Sequence, residues 1–248
     1  MGMSSVVRVG ALADLHYRRS AQGELVPLLG QAAQSCDVLL LPGDLTDRGT
    51  VEEAQLLARD LAAAVKIPVL AVLGNHDFES DVPGEVARIL VDAGIVVLDG
   101  DAHEVHGIGF AGVKGFAGGF GKHALGSWGE PVIKQFVKEA LDEALKLENA
   151  LARLRTPQRI ALIHYAPIQA TVEGEPPEIY TYLGSSRLEE PLSRYPVTAV
   201  FHGHAHRGAP EGTTTTGVPV YNVSLPLLQR LSPNGPDGPP VRVLEVAV

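Results

Sequence analysis

The sequence has little cysteine, no long apolar run and no excess of positive charge, and each shortage excludes a class of protein. Among its 248 residues there is a single cysteine, Cys36, so no disulfide can form within the chain. A disulfide-stapled scaffold is therefore excluded, and a reducing compartment is favoured. Cys36 stands where a predicted helix gives way to a strand, and we interpret it as a buried, unreactive thiol rather than a nucleophile.

Membrane and export signals are also missing from the sequence. No stretch has the length of apolar residues that crossing a bilayer requires. The first nine residues contain neither an apolar leader segment nor a cleavage site, and they run directly into a predicted strand. We therefore expect a soluble, cytoplasmic protein.

Acidic residues outnumber basic ones, which gives a formal net charge of −9. Proteins that bind nucleic acid need a basic surface to hold phosphates, so nucleic acid is an unfavourable partner. A small phosphorylated substrate stays compatible with this charge, because bound metal ions can supply positive charge locally.

The hydrophobic content of 45% is enough for a sizeable core, and the length fits one large α/β domain or two small ones. We find no repeat and no linker, and we predict a single domain over residues 1–248. Apolar runs predict strands at 6–13, 38–42, 68–73, 95–98, 102–105, 108–113, 159–163, 197–201, 218–223 and 241–246. Helical periodicity predicts helices at 24–35, 86–93 and 130–155.

Two capping boxes are predicted from the spacing of polar residues. Thr50 and Glu53 would begin a helix after the second strand, and Ser186 and Glu189 would begin a short helix near the end of the chain. Residues 114–128 and 165–184 are predicted to be long loops, and residues 232–240 a surface loop. The first loop is rich in glycine and is either a floppy connector or the rim of a pocket.

Potential metal ligands follow five of the predicted strands. In open α/β sheets, ligands bind at the carboxyl ends of the strands. Residues two apart in an extended chain point to the same side, so Asp14 and His16 can reach one point. The polar residues at these strand ends are Asp14, His16, Asp44, Asn75, His76, His164, His204 and His206.

These side chains offer nitrogen and oxygen but no thiolate. Imidazole with carboxylate suits Mn, Fe, Zn, Co or Ni, whereas calcium prefers oxygen alone. The set is too large for one tetrahedral structural zinc. Two ions that share a carboxylate account for it, and such a pair can hold both oxygens of a displacement at phosphorus.

The order of the motifs resembles a known family. Asp14-x-His16, Gly43-Asp44, Gly74-Asn75-His76-Asp77, His164 and Gly203-His204-x-His206 resemble the five signature motifs of the calcineurin-like metallophosphoesterases. The resemblance implies a four-layer α/β/β/α sandwich, in which two facing mixed sheets are flanked by helices. It also implies two divalent or trivalent transition-metal ions, with Mn, Fe or Zn expected, and a metal-bridging hydroxide that attacks a phosphate mono- or diester.

The resemblance implies two ligand sets that share Asp44 as a bridge. The first set is Asp14, His16, Asp44 and His206. The second set is Asp44, Asn75, His164 and His204. His76 would face the leaving group as a general acid or a phosphate-binding donor. Asp47 and Arg48 match positions that, in the phosphoprotein-phosphatase branch, orient that histidine and bind phosphate.

Two other functions stay open. Ala13-Asp14-Leu15-His16 is similar to the opening motif of the DNA-repair nucleases of this superfamily, although the acidic charge counts against DNA. A catalytically inactive protein-binding scaffold could use the same fold, but such members are expected to lose ligands, and here none is missing. The Asn-His-Asp form of the third motif looks more like the bacterial small-molecule phosphoesterases than the protein phosphatases.

Each candidate residue also has an ordinary structural interpretation. The aspartates could be turn or capping carboxylates, Asn75 could accept a left-handed backbone, and the histidines could be hydrogen-bonded rim residues. His202 is expected to pack or to support a ligand. His123, in the glycine-rich loop, is a weak candidate for a substrate contact.

Overall fold

A computed structural model describes residues 5–232 and 240–248 of the chain. The helices are α1 Val26–Ser35, α2 Val51–Ala64, α3 Pro83–Asp92, α4 Pro131–Arg153, α5 Tyr180–Leu183, α6 Glu189–Arg194 and α7 Leu225–Leu231. The strands are β1 Val6–Ala11, β2 Val38–Pro42, β3 Val69–Val72, β4 Val96–Val97, β5 Asp101–Val105, β6 Ile108–Val113, β7 Gln158–Ile163, β8 Ala199–His202, β9 Glu211–Thr213, β10 Pro219–Asn222 and β11 Arg242–Ala247.

The strands form two mixed sheets. The first has the order β11-β1-β2-β3-β4, with β11 antiparallel to β1 and the other neighbours parallel. The second has the order β5-β6-β7-β8-β10-β9, and its four central strands are parallel. Parallel strands end at the same edge of a sheet, so the segments that follow them meet there.

Three apolar layers hold the sheets and helices together. Strand side chains alternate between faces, so Leu39 and Leu41 pack with the helices α1, α2 and α3, whereas Leu40 faces the other sheet. Leu40 lies in the same buried layer as Phe110 and Phe201 of the second sheet. The outer face of the second sheet packs against α4 and α6. The predicted four-layer α/β/β/α arrangement is therefore confirmed.

One predicted capping box is confirmed and the other is wrong. Thr50 accepts a hydrogen bond from Glu53 N, and the Glu53 carboxylate accepts one from Thr50 N. At the second position, Ser185 is the residue that caps, by accepting from Arg187 N. Ser186 instead accepts from Gly121 N, because the glycine-rich loop lies against this turn.

Three elements have no counterpart in the sequence prediction. Helix α5 lies at the end of the predicted loop 165–184, where Tyr180–Leu183 form a single helical turn. Strand β9 is only three residues long and forms because β10 supplies a partner. Helix α7 begins with Pro226 in its first turn, where the missing N–H costs nothing. Most of the predicted surface loop at 232–240 lies outside the described residues.

Among residues 5–232 and 240–248, none of the helices combines the length and the apolar character needed to cross a membrane.

Candidate metal centre

The segments that follow β1 and β2 continue side by side beyond the first sheet. Asp14 N donates to Gly43 O at 3.0 Å, and His16 N donates to Asp44 O at 3.0 Å. These backbone hydrogen bonds place Asp14 and His16 beside Asp44, as the strand-end argument predicted.

Hydrogen bonds between the two sheets bring the last motif to the same place. Ala13 N donates to Val223 O at 2.8 Å, which joins the end of β1 to the end of β10. His204 N lies 3.0 Å from both carboxylate oxygens of Asp14. Residues almost two hundred positions apart in the chain therefore share one site.

Of the groups of side chains here that could hold metal ions, two share no residue. The first cluster is Asp14, His16 and His206, and the second cluster is Asp44, His164 and His204. In each cluster, one ligand atom per residue lies within 4.8 Å of the others.

Asp44 faces both clusters with different oxygens. Its Oδ1 lies 3.3 Å from His164 Nε2, within the second cluster. Its Oδ2 lies 3.8 Å from His16 Nε2, which belongs to the first cluster. A carboxylate in this position can bridge two ions.

In the first cluster the side chains contact mainly each other. His206 Nε2 lies 3.1 Å from Asp14 Oδ1 and 3.4 Å from His16 Nε2. Three ligand atoms therefore converge without an intervening group.

In the second cluster, backbone carbonyls fix both imidazoles. His164 Nδ1 donates to Pro42 O at 3.0 Å, which leaves Nε2 free, and Asn75 Oδ1 lies 2.9 Å from that Nε2. His204 Nε2 donates to Tyr182 O at 3.1 Å, which leaves Nδ1 free. A hydrogen bond on one ring nitrogen sets the tautomer and presents the other nitrogen to a metal.

His76 lies at the edge of this site. Its Nδ1 donates to the backbone carbonyl of Asp47 at 2.7 Å, and its ring centroid lies 4.5 Å from that of His16. Burial lowers the pKa of His76, but the Asp47 carbonyl and nearby carboxylates outweigh it, so the pKa is raised. His76, Asp47 and His16 form a third group with metal-ligand spacing.

Asp47 and Arg48 lie a few residues after the second motif, and the first of them contacts His76. Asp47 holds His76 through its backbone carbonyl, while its carboxylate lies 3.7 Å from His16 Nδ1. The side chain of Arg48 is exposed, and it forms no hydrogen bond or ion pair within the described ranges.

Backbone strain is concentrated at the site. Asp14, His16, Asp44 and His204 have φ values of 59°, 42°, 48° and 70°. The left-handed conformation costs a residue other than glycine about 1–2 kcal/mol. Such outliers collect where surrounding structure holds functional side chains in place. Asn75, in contrast, has an ordinary φ of −66°, so the left-handed explanation for it is wrong.

Two glycines allow the backbone to approach the carboxylates. A Cβ at Gly74 would lie 2.1 Å from Asp44 Oδ1, and a Cβ at Gly203 would lie 2.4 Å from Asp14 Oδ2. Any side chain at either position would displace a carboxylate from its cluster. The glycines of the Gly-Asn-His-Asp and Gly-His-x-His motifs are therefore required by close packing.

A family model described as calcineurin-like phosphoesterase matches residues 7–208. The chain belongs to the calcineurin-like phosphoesterase family. The match covers most of the chain and includes every residue of the two clusters. Membership makes the protein a metal-dependent phosphoester hydrolase and implies a centre of two metal ions.

Solved structures share the fold of this phosphoesterase. Phosphopantetheinyl hydrolase (PptH) from Mycobacterium tuberculosis is 17% identical, with a TM-score of 0.66 and 95% of each chain covered. TT1561 of Thermus thermophilus is 16% identical, with a TM-score of 0.53 and coverage of 98% of this chain and 99% of that one. A putative 5'-nucleotidase from Staphylococcus aureus, in complex with alpha-ketoglutarate, is 15% identical, with a TM-score of 0.56; 88% of this chain and 48% of that one are covered. No curated protein matches the sequence.

The donor set fits the ions that the family implies. Asp14 and Asp44 are buried, and within the described part of the chain neither forms an ion pair with a lysine or arginine. Burial raises the pKa of Asp44, and the carboxylate of Asp14 adds to the effect. Burial also opposes ionisation of Asp14, but the hydrogen bond with His206 and nearby imidazoles lower its pKa to about 2. Two adjacent buried carboxylates without a permanent counter-charge suit a cation.

Two of the cluster imidazoles, those of His204 and His16, have the protonation state that metal binding needs, whereas in His206 the effect of burial is outweighed by the hydrogen bond with Asp14 and nearby carboxylates, so its pKa is raised. Burial lowers the pKa of His204 to about 3 and that of His16 to about 4. Both rings are therefore neutral near pH 7, and neutral imidazole is the form that binds metals.

Asp77 is a residue of this phosphoesterase site that the sequence analysis did not single out. Its buried carboxylate accepts from Gly74 N at 2.8 Å, Thr46 N at 2.8 Å, Thr46 Oγ1 at 2.6 Å and Leu45 N at 3.2 Å. It thereby joins the loop that carries Asp44 to the loop that carries Asn75. Its position in the Asn-His-Asp motif was the sequence signal that could have identified it.

The glycine-rich loop supports the second cluster from outside. Gly118 N donates to Thr181 O at 2.8 Å, and Gly119 N donates to Gly184 O at 2.8 Å. The loop thus fastens helix α5, which contains Tyr182, whose carbonyl holds His204. These contacts favour a rim over a floppy connector. His202 is buried and shares a 2.8 Å hydrogen bond with Thr171 Oγ1, which belongs to neither cluster, so it packs in the interior; His123 is exposed.

Proposed function

We propose that the protein hydrolyses a phosphate mono- or diester of a small molecule at a centre of two metal ions. The observation that carries the proposal is the placement of Asp44, whose two carboxylate oxygens face different clusters. The ligands in this proposal are Asp14, His16, Asp44 and His206 for one ion and Asp44, Asn75, His164 and His204 for the other. We expect the ions to be Mn, Fe or Zn, because the proposed ligands offer nitrogen and oxygen donors.

When bound, the pair of ions supplies a water of lowered pKa as the nucleophile and positive charge for the phosphate. The chain's own residues then orient the reaction. His164 and His204 are held by backbone carbonyls, so their ring nitrogens keep a fixed direction during turnover. Both carboxylates are buried, which strengthens their attraction for cations.

His76 is proposed as the proton donor to the leaving oxygen. The Asp47 carbonyl accepts a hydrogen bond from Nδ1, and the imidazolium form carries a second proton, on Nε2, for the leaving oxygen. A second hydrogen bond, from His76 N to Asp44 Oδ1 at 2.9 Å, ties the position of this residue to the centre. Asp47 is then a positioning residue. Arg48 is proposed to bind phosphate because it follows Asp47 directly and its guanidinium has no partner among the described residues.

The size of the adjoining cavity supports a small-molecule substrate. A cleft of about 510 Å³ opens beside Asn75, within the range that binds small molecules. The net charge of −9 disfavours nucleic acid. The solved structures named above are too distant in sequence to indicate the substrate of this chain.

The single domain and the cytoplasmic location remain predictions from the sequence.

Metal analysis of the purified protein, coupled to a substrate panel, tests the proposal. The panel contains aryl mono- and diesters, cyclic nucleotides, nucleotides and single-stranded DNA, each assayed with Mn, Fe and Zn. We expect two ions per chain and hydrolysis of small esters. Asp44→Asn should lose both, whereas Asp37→Asn, a surface aspartate paired with Arg8, should keep both.

Two outcomes would contradict the proposal. Hydrolysis of DNA with no activity on small esters would favour the nuclease alternative. Failure to bind metal, or inactivity with every metal and ester, would favour a protein-binding scaffold.

A further inference from the structure

The cleft beside Asn75 is aromatic rather than polar. Its walls come from the turn after His76, the end of β6, the end of β7 and the first turns of α4. The apolar residues that line it are Phe78, Phe116, Val132, Phe136 and Tyr165. Tyr165 contacts the second cluster directly, since its ring centroid lies 4.5 Å from that of His204. A group placed in the cleft is therefore separated from the second cluster by the ring of Tyr165.

Among the described residues that line this cleft, Lys114 is the only cation. It follows β6 directly, and its carbonyl accepts hydrogen bonds from His164 N at 2.9 Å and Tyr165 N at 3.2 Å. The residue is thus fixed beside a ligand of the second cluster. Its ammonium nitrogen lies 4.9 Å from the ring centroid of Phe116, 5.4 Å from that of Phe78 and 5.5 Å from that of Tyr165.

The Lys114 ammonium has donors to spare. It donates one hydrogen bond, to Gly115 O at 2.8 Å, and an ammonium group carries three donors. Within the described part of the chain no carboxylate lies within ion-pair distance of it. The buried carboxylate of Glu143 is already used by Gly115 N and Lys146 Nζ, each at 2.8 Å. Glu139, the acidic residue of the described cleft lining, is exposed.

We propose that the substrate is an ester whose apolar or aromatic alcohol half occupies this cleft and carries a second anionic group that binds Lys114. The aromatic walls fit a ring or apolar body, and a largely desolvated ammonium with free donors fits a carboxylate, sulfonate or second phosphate. The inference rests on the proposed function and deepens it, because it names the class of alcohol that leaves.

Matched aryl phosphates test this assignment. The pair is naphthyl phosphate and its analogue with a carboxylate on the far ring, where the added charge hardly changes the leaving group. Lys114→Met keeps an apolar stem without the ammonium. For this variant we expect KM for the carboxylated ester to rise about tenfold, with kcat within about twofold. KM for plain naphthyl phosphate should change less than about twofold.

Three further variants sharpen the result. Lys114→Arg should retain the preference for the carboxylated ester. Lys134→Met, which removes an exposed cation of α4 outside the cleft lining, should behave as wild type. Glu139→Gln should lower KM for the carboxylated ester, because it removes a repelling charge. Equal changes for both esters in Lys114→Met, or no change in either, would overturn the assignment.

A binding measurement separates this inference from the reaction itself. Calorimetry with the corresponding naphthylmethylphosphonates, which cannot be hydrolysed, needs no turnover. If wild type binds the carboxylated phosphonate more tightly and Lys114→Met does not, the cleft assignment holds even where every ester assay is silent. Equal binding by both proteins would refute it, even if the enzyme proves active.

Discussion

The two clusters hold similar ligands but differ in what supports them. In the second cluster, Pro42 O and Tyr182 O each accept a hydrogen bond from an imidazole, and the His164 side chain is fully buried. In the first cluster, among the described residues, no backbone carbonyl contacts the ring of His16 or His206. Their side chains are 19% and 38% exposed.

From this difference we infer that the second cluster is the more preorganised of the two for binding an ion. Groups that are already held lose less conformational entropy on binding, so a preorganised site binds more tightly. We therefore expect the second cluster to keep its ion longer. The four predictions below test this comparison, starting with the largest effect.

The largest effect is expected for His204→Ala. This change should remove the ion of the second cluster, abolish hydrolysis and leave the fold intact, because the imidazole is a proposed ligand and not part of an apolar layer. Metal analysis, activity and circular dichroism measure the three results. His206→Ala is the matched variant in the first cluster, and added metal should partly restore its activity. Unchanged metal content in His204→Ala would contradict the ligand assignment.

The next effect concerns His76→Ala, which tests the edge of the first cluster. Both ions should stay bound, while turnover should fall about a hundredfold for esters with poor leaving groups. Esters with good leaving groups need no proton and should be affected much less. Rates on a series of aryl phosphates of increasing leaving-group pKa provide the measurement. Equal slowing across the series would argue against an acid role.

A smaller effect is expected for Asp77→Asn, which tests the support of the second cluster. The amide cannot accept all four hydrogen bonds, so the loops of Asp44 and Asn75 should separate slightly. Affinity for the second ion should fall about tenfold, as for other groups that orient ligands. Metal titration by calorimetry measures it.

Asp60→Asn is the control for Asp77→Asn. Asp60 is also buried and accepts hydrogen bonds, from Tyr17 OH at 2.5 Å and Gly23 N at 2.8 Å, but it contacts neither cluster. The Asp60→Asn substitution should lower the midpoint of thermal unfolding without changing metal affinity. If both variants weaken metal binding equally, the effect of Asp77 is one of general stability.

The smallest effect is a difference in rate between the two ions of the wild-type protein. Under a slowly added chelator, the ion of the first cluster should leave several times faster than that of the second. Time-resolved metal analysis with Co as a spectroscopic probe would follow the two losses. Release of the second ion first would reverse the comparison between the clusters.

Much of the fold and the site was predictable from local sequence patterns. Aliphatic runs mark buried strands, and parallel strands end at a common edge, so Asp14, Asp44 and Asn75 were expected to meet. That His164 joins them from the other sheet was expected from the family resemblance. The Thr50–Glu53 capping box is a local interaction and was likewise predicted. Ser186 and Glu189 have the same spacing, yet the glycine-rich loop competes for Ser186. Spacing cannot reveal such a competitor.

Sequence by itself determined which residue types stand at the strand ends and in what order, because strand formation and ligand chemistry depend on neighbouring residues. Tertiary structure decided which oxygen of Asp44 faces which cluster, that Pro42 and Tyr182 hold the second-cluster imidazoles, and that Lys114 lies in an aromatic cleft. These contacts join segments far apart in the chain. Their geometry is set by how two sheets pack, and no local pattern carries that information.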